Sequence, residues 1–287
     1  MTLKEYLLRI HLCSGIGLVS ENKIFEFIKI NHQIPSDYDL MLLLNLNFQK
    51  TRNLYQLIYS DKITRLIEQN LCQFDYITIL DETYPEKLRE IYQPPLVLFY
   101  KGDLNLLNYP ILGVVGARKH SQYANEVLNQ LLPTVIQKQI VTISGLAHGV
   151  DSLCHRITIG NHGKTIGVIG TGLDICYPHE NQQLQQEMMK NHLVISEFKA
   201  TSSPRAFHFP LRNRIIAGLC DSILVVEARK KSGSLITANL ALQENRNVLV
   251  VPGKINSELS VGCNLLFKDG AKPIFDSQDI LEEFRMT

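Results

Sequence analysis

The residues with the most chemical potential lie in Phe207-His208-Phe209-Pro210-Leu211-Arg212-Asn213-Arg214, where two guanidinium groups sit beside flat apolar rings. A guanidinium fork matches the oxygens of a phosphate, and an aromatic face stacks on an unpaired base; single-strand nucleic-acid binders combine the two. Arg212 and Arg214 are two apart and cannot share a helical face, so different jobs are expected of them. One would reach phosphate while the other holds the turn through backbone carbonyls or a carboxylate such as Glu227. The alternative puts Phe207 and Phe209 in the core and leaves the arginines as a solvated helix start. A second basic run, Arg229-Lys230-Lys231-Ser232-Gly233-Ser234-Leu235-Ile236-Thr237, feeds a helix for which Ser234 is a candidate cap. Helical N–H groups next to three cations would seat an oxyanion, whereas a plain charge run would only be solvated.

Other segments imitate sites without completing them. Gly163-Lys164-Thr165 resembles the end of a phosphate-binding P-loop, but Thr158 stands where the first glycine is required and the segment precedes a strand, which argues against ATP. Gly113-Val-Val-Gly116-Ala-Arg118 is not G-x-G-x-x-G, and the next strand ends in Ser144-Gly145 where an acid would bind ribose, so a nicotinamide cofactor is not expected. Asp151 and Glu197 have no second carboxylate or nucleophile–base pair at a diagnostic spacing, and Asp151 is expected to cap a helix. His148 and His155 read as structural. The cysteines, Cys13, Cys72, Cys154, Cys176, Cys220 and Cys263, form no C-x-x-C pair and no cluster with histidine, so neither a metal nor a cofactor is implied.

The elements that must position these groups follow from periodicity. From Thr2 to about Leu71 apolar residues recur at helical spacing, interrupted at Ser14-Gly15-Ile16-Gly17 and Ile34-Pro35-Ser36-Asp37, which predicts a small all-α domain over residues 1–72. Gly15-Ile16-Gly17 resembles the turn of a helix-hairpin-helix DNA module, or is a plain structural turn. Residues 73–287 switch to short β-branched runs alternating with amphipathic stretches. Strands are predicted at Ile77–Leu80, Leu96–Tyr100, Ile111–Val115, Ile140–Ser144, Thr165–Ile169, Leu193–Ser196, Ile223–Val226 and Val248–Val251. Helices are predicted at Ser121–Lys138, Gly149–Ile159, Gln182–Met189, Leu211–Leu219 and Ser234–Glu244, with a kink or early stop at Pro133. This is an α/β, Rossmann-like doubly wound, mostly parallel sheet, whose ligand crevice lies beyond the carboxyl ends of its strands. Those ends are small and polar: Gly116-Ala117-Arg118, Ser144-Gly145, Gly170-Thr171-Gly172, Glu227-Ala228-Arg229 and Pro252-Gly253.

The formal net charge is only +1, so contact with nucleic acid would have to come from a local concentration of cations. Lys4, Glu5, Arg9 and His11 break up any signal-peptide core, and no run approaches a membrane span. A cytoplasmic protein with reduced thiols is expected, with no membrane contact.

Taken in order, Gly116-x-Arg118, Ser144-Gly-x-Ala-x-Gly149-x-Asp151, Gly170-x-Gly172-x-Asp174-x-x-Tyr177-Pro178, Phe209-Pro-x-Arg-Asn-Arg-Ile-Ile-Ala-Gly218, Ser232-Gly-Ser-Leu-Ile-Thr237 and Val251-Pro-Gly253 resemble the DprA/Smf family of DNA-processing proteins, from about Ile77 to the C-terminus. The resemblance implies a non-enzymatic recombination mediator that binds and protects single-stranded DNA during natural transformation, helps load the RecA recombinase, and acts as a homodimer. It implies a DNA pocket of Gly116, Arg118, Ser144, Gly145, Tyr177, His179, Phe209, Arg212, Asn213, Arg214, Ser232, Gly233 and Ser234. Ala117 departs from the family's commoner Ser, and His179 stands where relatives can carry Lys, which would make that contact weaker and more pH-sensitive. The winged-helix domain that follows in some relatives is expected to be absent. Nucleoside-monophosphate phosphoribohydrolases of related fold are the competing enzyme class, but this chain has Ser232-Gly-Ser-Leu-Ile-Thr237, with no acid until Glu244, where they carry Pro-Gly-Gly-x-Gly-Thr and a catalytic Glu.

Overall fold

The computed structural model describes residues Met1–Arg285, which form two compact units, Met1–Phe99 and the described residues from Tyr100 onward. The first holds five helices, α1 (Leu3–Leu12), α2 (Leu18–Asn31), α3 (Asp37–Leu44), α4 (Phe48–Ile58) and α5 (Asp61–Leu71), then β1 (Asp75–Thr78) and the short α6 (Glu86–Arg89). Each of α1, α3, α4 and α5 starts at a Thr, Ser or Asn whose side chain accepts a backbone N–H of the first turn. Tyr6, Leu7, Ile10, Ile24, Ile28, Leu40, Ile58 and Ile63 fill the centre of this bundle. Gly15 takes a positive φ of 96° and Gly17 is the N-cap of α2, so the glycines of that segment build a turn between helices.

Strand β2 (Val97–Gly102) carries the chain across the boundary between the units. The second unit alternates β3 (Ile111–Val115), α7 (Gln122–Gln137), β4 (Val141–Ser144), α8 (Val150–Gly160), β5 (Thr165–Ile169), α9 (Gln182–Asn191), β6 (Leu193–Ser196), α10 (His208–Leu219), β7 (Ser222–Val225), α11 (Gly233–Gln243), β8 (Asn247–Val250), α12 (Val261–Lys268), β9 (Lys272–Pro273) and α13 (Ser277–Glu283). The strands of this unit lie in the order β6-β5-β4-β3-β7-β8-β9. From β3 outward every described pairing is parallel, with Leu112 opposite Thr142 on one side and Ser222 on the other. The chain winds outward from β3 to β6, returns to β7 beside β3, and winds the other way. The switch point therefore falls between β3 and β7, where the ligand crevice of a doubly wound sheet belongs.

The expected fold class is the one observed. Strands β3 to β7 are buried at every position, as a parallel sheet with helices on both faces requires. One face packs Leu112, Val114, Leu224, Val226 and Leu249 against α7, α8 and α13; α10 and α11 pack against each other and on β5, β7 and β8.

Three local expectations are corrected. Helix α7 runs through Pro133 without an early stop, because Leu128, Leu131, Leu132, Val135 and Ile136 are buried around it and tertiary packing outweighs the lost hydrogen bond. The cap of α8 is Gly149, at φ 79°, and Asp151 is the second helical residue. The cap of α11 is Ser232, whose hydroxyl accepts the Leu235 N–H, with Ser234 inside the first turn.

Beneath the sheet lies a polar patch with a measurable cost. His155 is fully buried, its Nδ1 2.7 Å from the Thr165 hydroxyl, which also meets Thr142. Burial pushes the His155 imidazole down to about 3, helped by the nearby His192, which burial pushes down to about 4. Above the unfolded-state value near 6.5 neither state binds the extra proton and the native fold is undisturbed. As pH falls toward 3 the unfolded chain takes up a proton that native His155 refuses, so stability is lost across that window. Urea denaturation between pH 7 and 4 is expected to show His155→Asn losing stability less steeply than wild type, the difference approaching about 1.4 kcal/mol per pH unit. Identical slopes would show that His155 is not the group responsible.

Candidate nucleic-acid interface

The loops at the carboxyl ends of β3, β4 and β7 and the starts of α10 and α11 enclose a cleft of about 930 Å³. Its lining gathers Arg118, Lys119, Arg205, Arg212 and Arg229 against a single carboxylate, Asp151. A chain of formal net charge +1 thus concentrates five cations in one hollow, the local field that bulk composition conceals.

One wall is aromatic. The Arg118 guanidinium carbon lies 5.5 Å from the centroid of the Phe209 ring, and Tyr177, 46% exposed, flanks the same ring at 5.7 Å. A cation over a ring face is held by the ring's quadrupole, so the Phe209 ring both positions Arg118 and leaves apolar surface at the cleft. Facing it, Ser232, Gly233 and Ser234 form the N-terminal turn of α11, where backbone N–H groups without intrahelical partners favour an anion.

The floor is a buried guanidinium. Arg212, 4% exposed, donates from Nη1 to the Val168 carbonyl at 2.9 Å and attracts Asp151. Its seat exists because residue 145 has no side chain: a Cβ on Gly145 would fall 1.5 Å from Arg212 Nη1. Asp151 accepts from the Ala147 and Gly145 backbone N–H groups. Burial pushes the Asp151 carboxyl up and the Arg212 guanidinium down, and their mutual attraction opposes both shifts. Asp151 thus serves to organise the β4–α8 turn and the floor.

The structure brings together Gly116, Arg118, Tyr177, Phe209, Arg212, Asn213, Ser232, Gly233 and Ser234, nine of the thirteen residues expected, on the cleft lining. Ser144 is fully buried, with its hydroxyl on the Val114 carbonyl, and Gly145 lies behind Arg212. His179 is exposed at the start of a 3₁₀ turn outside the lining. Arg214, 9% exposed, points into the protein, where its Nη2 donates to Glu197. Both arginines are buried on different partners within the protein, and the carboxylate partner is Glu197; Glu227 is engaged by Ser121. Phe207, 57% exposed, packs edge-on to His208 and is absent from the lining, so only one of the two rings belongs to the cleft. Helix α10 starts at His208, three residues earlier than expected, and Pro210 sits in its first turn, where a missing N–H costs nothing.

Sequence reasoning passed over Arg205 and Lys119, both exposed at the cleft. Lys119 adjoins Arg118 and Arg205 precedes α10 by three residues, so proximity to a motif was the available signal. Among the described residues no group of three or more His, Cys, Asp or Glu could hold a metal ion, and no helix is long and apolar enough to cross a membrane.

Comparison with known proteins bears on this geometry. The family model for DNA recombination-mediator protein A matches residues 75–285. DNA processing protein DprA of Streptococcus pneumoniae is 46% identical over 212 residues, 74% of this chain and 75% of that one. The Bacillus subtilis DprA is 44% identical over 208 residues, 72% of this chain and 70% of its own. Among solved structures, the X-ray structure of the S. pneumoniae DprA superposes with a TM-score of 0.90 at 37% identity over 99% of both chains. The Helicobacter pylori DNA processing protein A, whose structure was solved for its single-stranded DNA binding mode, matches with a TM-score of 0.67 at 30% identity, over 74% of this chain and 96% of its own. With sequence and fold in agreement, the chain belongs to the DNA recombination-mediator protein A family, the DprA/Smf DNA-processing proteins.

Proposed function

We propose that the cleft between β3 and β7 binds single-stranded DNA and that the protein is a recombination mediator without catalytic activity. The observation that carries this is the pairing, in one hollow, of Arg118 over the Phe209 ring with the N-terminal turn of α11. The cations and N–H groups take backbone phosphates, and the exposed ring surface takes a base. A duplex hides its base faces, so a stacking wall favours an unpaired strand. The binding residues are the nine predicted positions on the lining, extended by Lys119, Arg205 and Arg229. The H. pylori relative's single-stranded DNA binding supports the same ligand here.

The wider role that goes with this reading is protection of incoming strands during natural transformation and loading of the RecA recombinase onto them in the cytoplasm. A homodimer would let two clefts share one strand and raise its effective affinity. A phosphoribohydrolase-like activity is not favoured. Hydrolysis needs a carboxylate free to move a proton, and Asp151, the single acid of the cleft lining, is engaged by the Gly145 and Ala147 backbone and by Arg212.

In fluorescence-anisotropy titrations with labelled oligo-dT, Arg118→Ala is expected to weaken binding on the order of tenfold, about 1.4 kcal/mol. The slope of log affinity against log salt should fall by about 0.7, the share of one phosphate contact on a single strand. An unchanged affinity and slope would remove Arg118, and with it the proposed wall, from the site. Arg214→Ala is expected to behave differently. It removes the Arg214–Glu197 ion pair from the interior, which is expected to lower the thermal midpoint. Its folded fraction should keep the wild-type salt slope, and loss of slope without loss of stability would return Arg214 to the binding set.

A further inference from the structure

The loop that carries Arg118 is placed by an acid that the cleft does not contain. Glu227, two residues beyond β7, is 2% exposed and absent from the lining. Both of its carboxylate oxygens are used on Ser121: Oε2 accepts the backbone N–H at 2.8 Å and Oε1 accepts the hydroxyl. Ser121 Oγ in turn accepts the Tyr123 N–H at 3.2 Å and so caps α7. Tyr123 donates its own hydroxyl to the Pro252 carbonyl, 2.7 Å away, just past β8. Among the described residues Glu227 has no ion pair, so a buried carboxylate is maintained here by Ser121 alone. Burying an acid is costly, and the cap of α7 needs only the Ser121 hydroxyl. What Glu227 adds is a tie between that cap and the neighbouring strand.

The opposite end of the loop is fastened as well. The Val150 N–H donates to the Ala117 carbonyl at 3.2 Å, and a Cβ on Gly149 would lie 2.2 Å from that oxygen. Between the two fastenings Arg118, Lys119 and His120 are exposed. The span is short, so its two ends fix where the Arg118 guanidinium can stand over Phe209.

We propose that Glu227 is a positioning residue for the cleft: by holding Ser121 it pre-sets the β3–α7 loop, so that Arg118 meets a backbone phosphate without the loop having to be ordered on binding. This rests on the reading of the cleft as a site for single-stranded DNA. Released from Glu227, the loop would still carry its cations, but each encounter with the strand would have to immobilise them.

The test is a double-mutant cycle on the full chain, with labelled oligo-dT titrated over a range of salt concentrations and thermal denaturation run on every variant. Glu227→Ala is expected to weaken binding about five- to tenfold and to flatten the salt dependence toward that of Arg118→Ala. The double variant should be no weaker than Arg118→Ala alone, within about twofold, because both changes remove one contact. Glu227→Gln should retain most of the affinity, since its amide oxygen still accepts the Ser121 N–H. If Arg118→Ala weakens binding while Glu227→Ala does not, or if the two losses multiply in the double variant, the positioning role is overturned and the reading of the cleft survives. If Arg118→Ala binds as wild type, the reading of the cleft falls and takes the assignment with it. Should Glu227→Ala fail to fold, Ser121→Ala decides: a weakening of about threefold that is non-additive with Arg118→Ala supports the tie, and unchanged affinity overturns it.

Discussion

The floor of the cleft depends on one buried guanidinium. Arg212 must reach from α10 to the Val168 carbonyl of β5 and lie near Asp151 of α8, and it can do so only because Gly145 leaves its seat empty. A charge placed there holds three elements at once, because moving any of them would strand an ionised group in a poorly solvated interior. The β4–α8 turn, the start of α10 and the end of β5 are therefore fixed relative to one another. On that fixed floor the loop of Arg118 and the first turn of α11 need only local fastening.

The arginines divide by solvent exposure and by what each is asked to do. Arg212 and Arg214 lie in the same motif, both below a tenth exposed, and each finds its main partner within the protein. Arg118 and Arg205 are exposed and can give their forks to a ligand. A motif rich in arginine therefore builds the platform more than it supplies the contacts. Counting its cations would overstate the charge available to a strand, which comes from the exposed Arg118, Lys119, Arg205 and Arg229.

Much of this fold was legible because a parallel sheet leaves a plain mark: runs such as Ile111–Val115 and Thr165–Ile169 are apolar on both faces, and both strands appear with the predicted limits. Boundaries moved where tertiary packing overrode local signals, as at Pro133 inside α7. The candidate site was legible as a set of strand-end motifs, and nine of the thirteen residues expected of it line one cleft. What could not be read was direction. Nothing local distinguishes Arg214, which turns inward to Glu197 seventeen residues away, from Arg212 beside the cleft, or Phe209 on the wall from Phe207 outside it. Gly149 was equally hidden as a cap, since its φ of 79° answers the close approach of Ala117, thirty-two residues earlier.

The same economy underlies the proposal that the cleft binds without reacting. A hydrolytic site on this fold needs an acid whose proton is free to leave and return, in reach of the bound sugar. Here each buried acid near the rim already holds structure: Asp151 holds the β4–α8 turn, Glu197 neutralises Arg214, and Glu227 holds Ser121. Releasing any one for proton transfer would loosen the element it secures, and the cleft would lose its shape before it gained a catalyst. The rest of the lining is cationic, aromatic, aliphatic, hydroxyl, amide or backbone N–H, a set that suits the polyanion proposed for it.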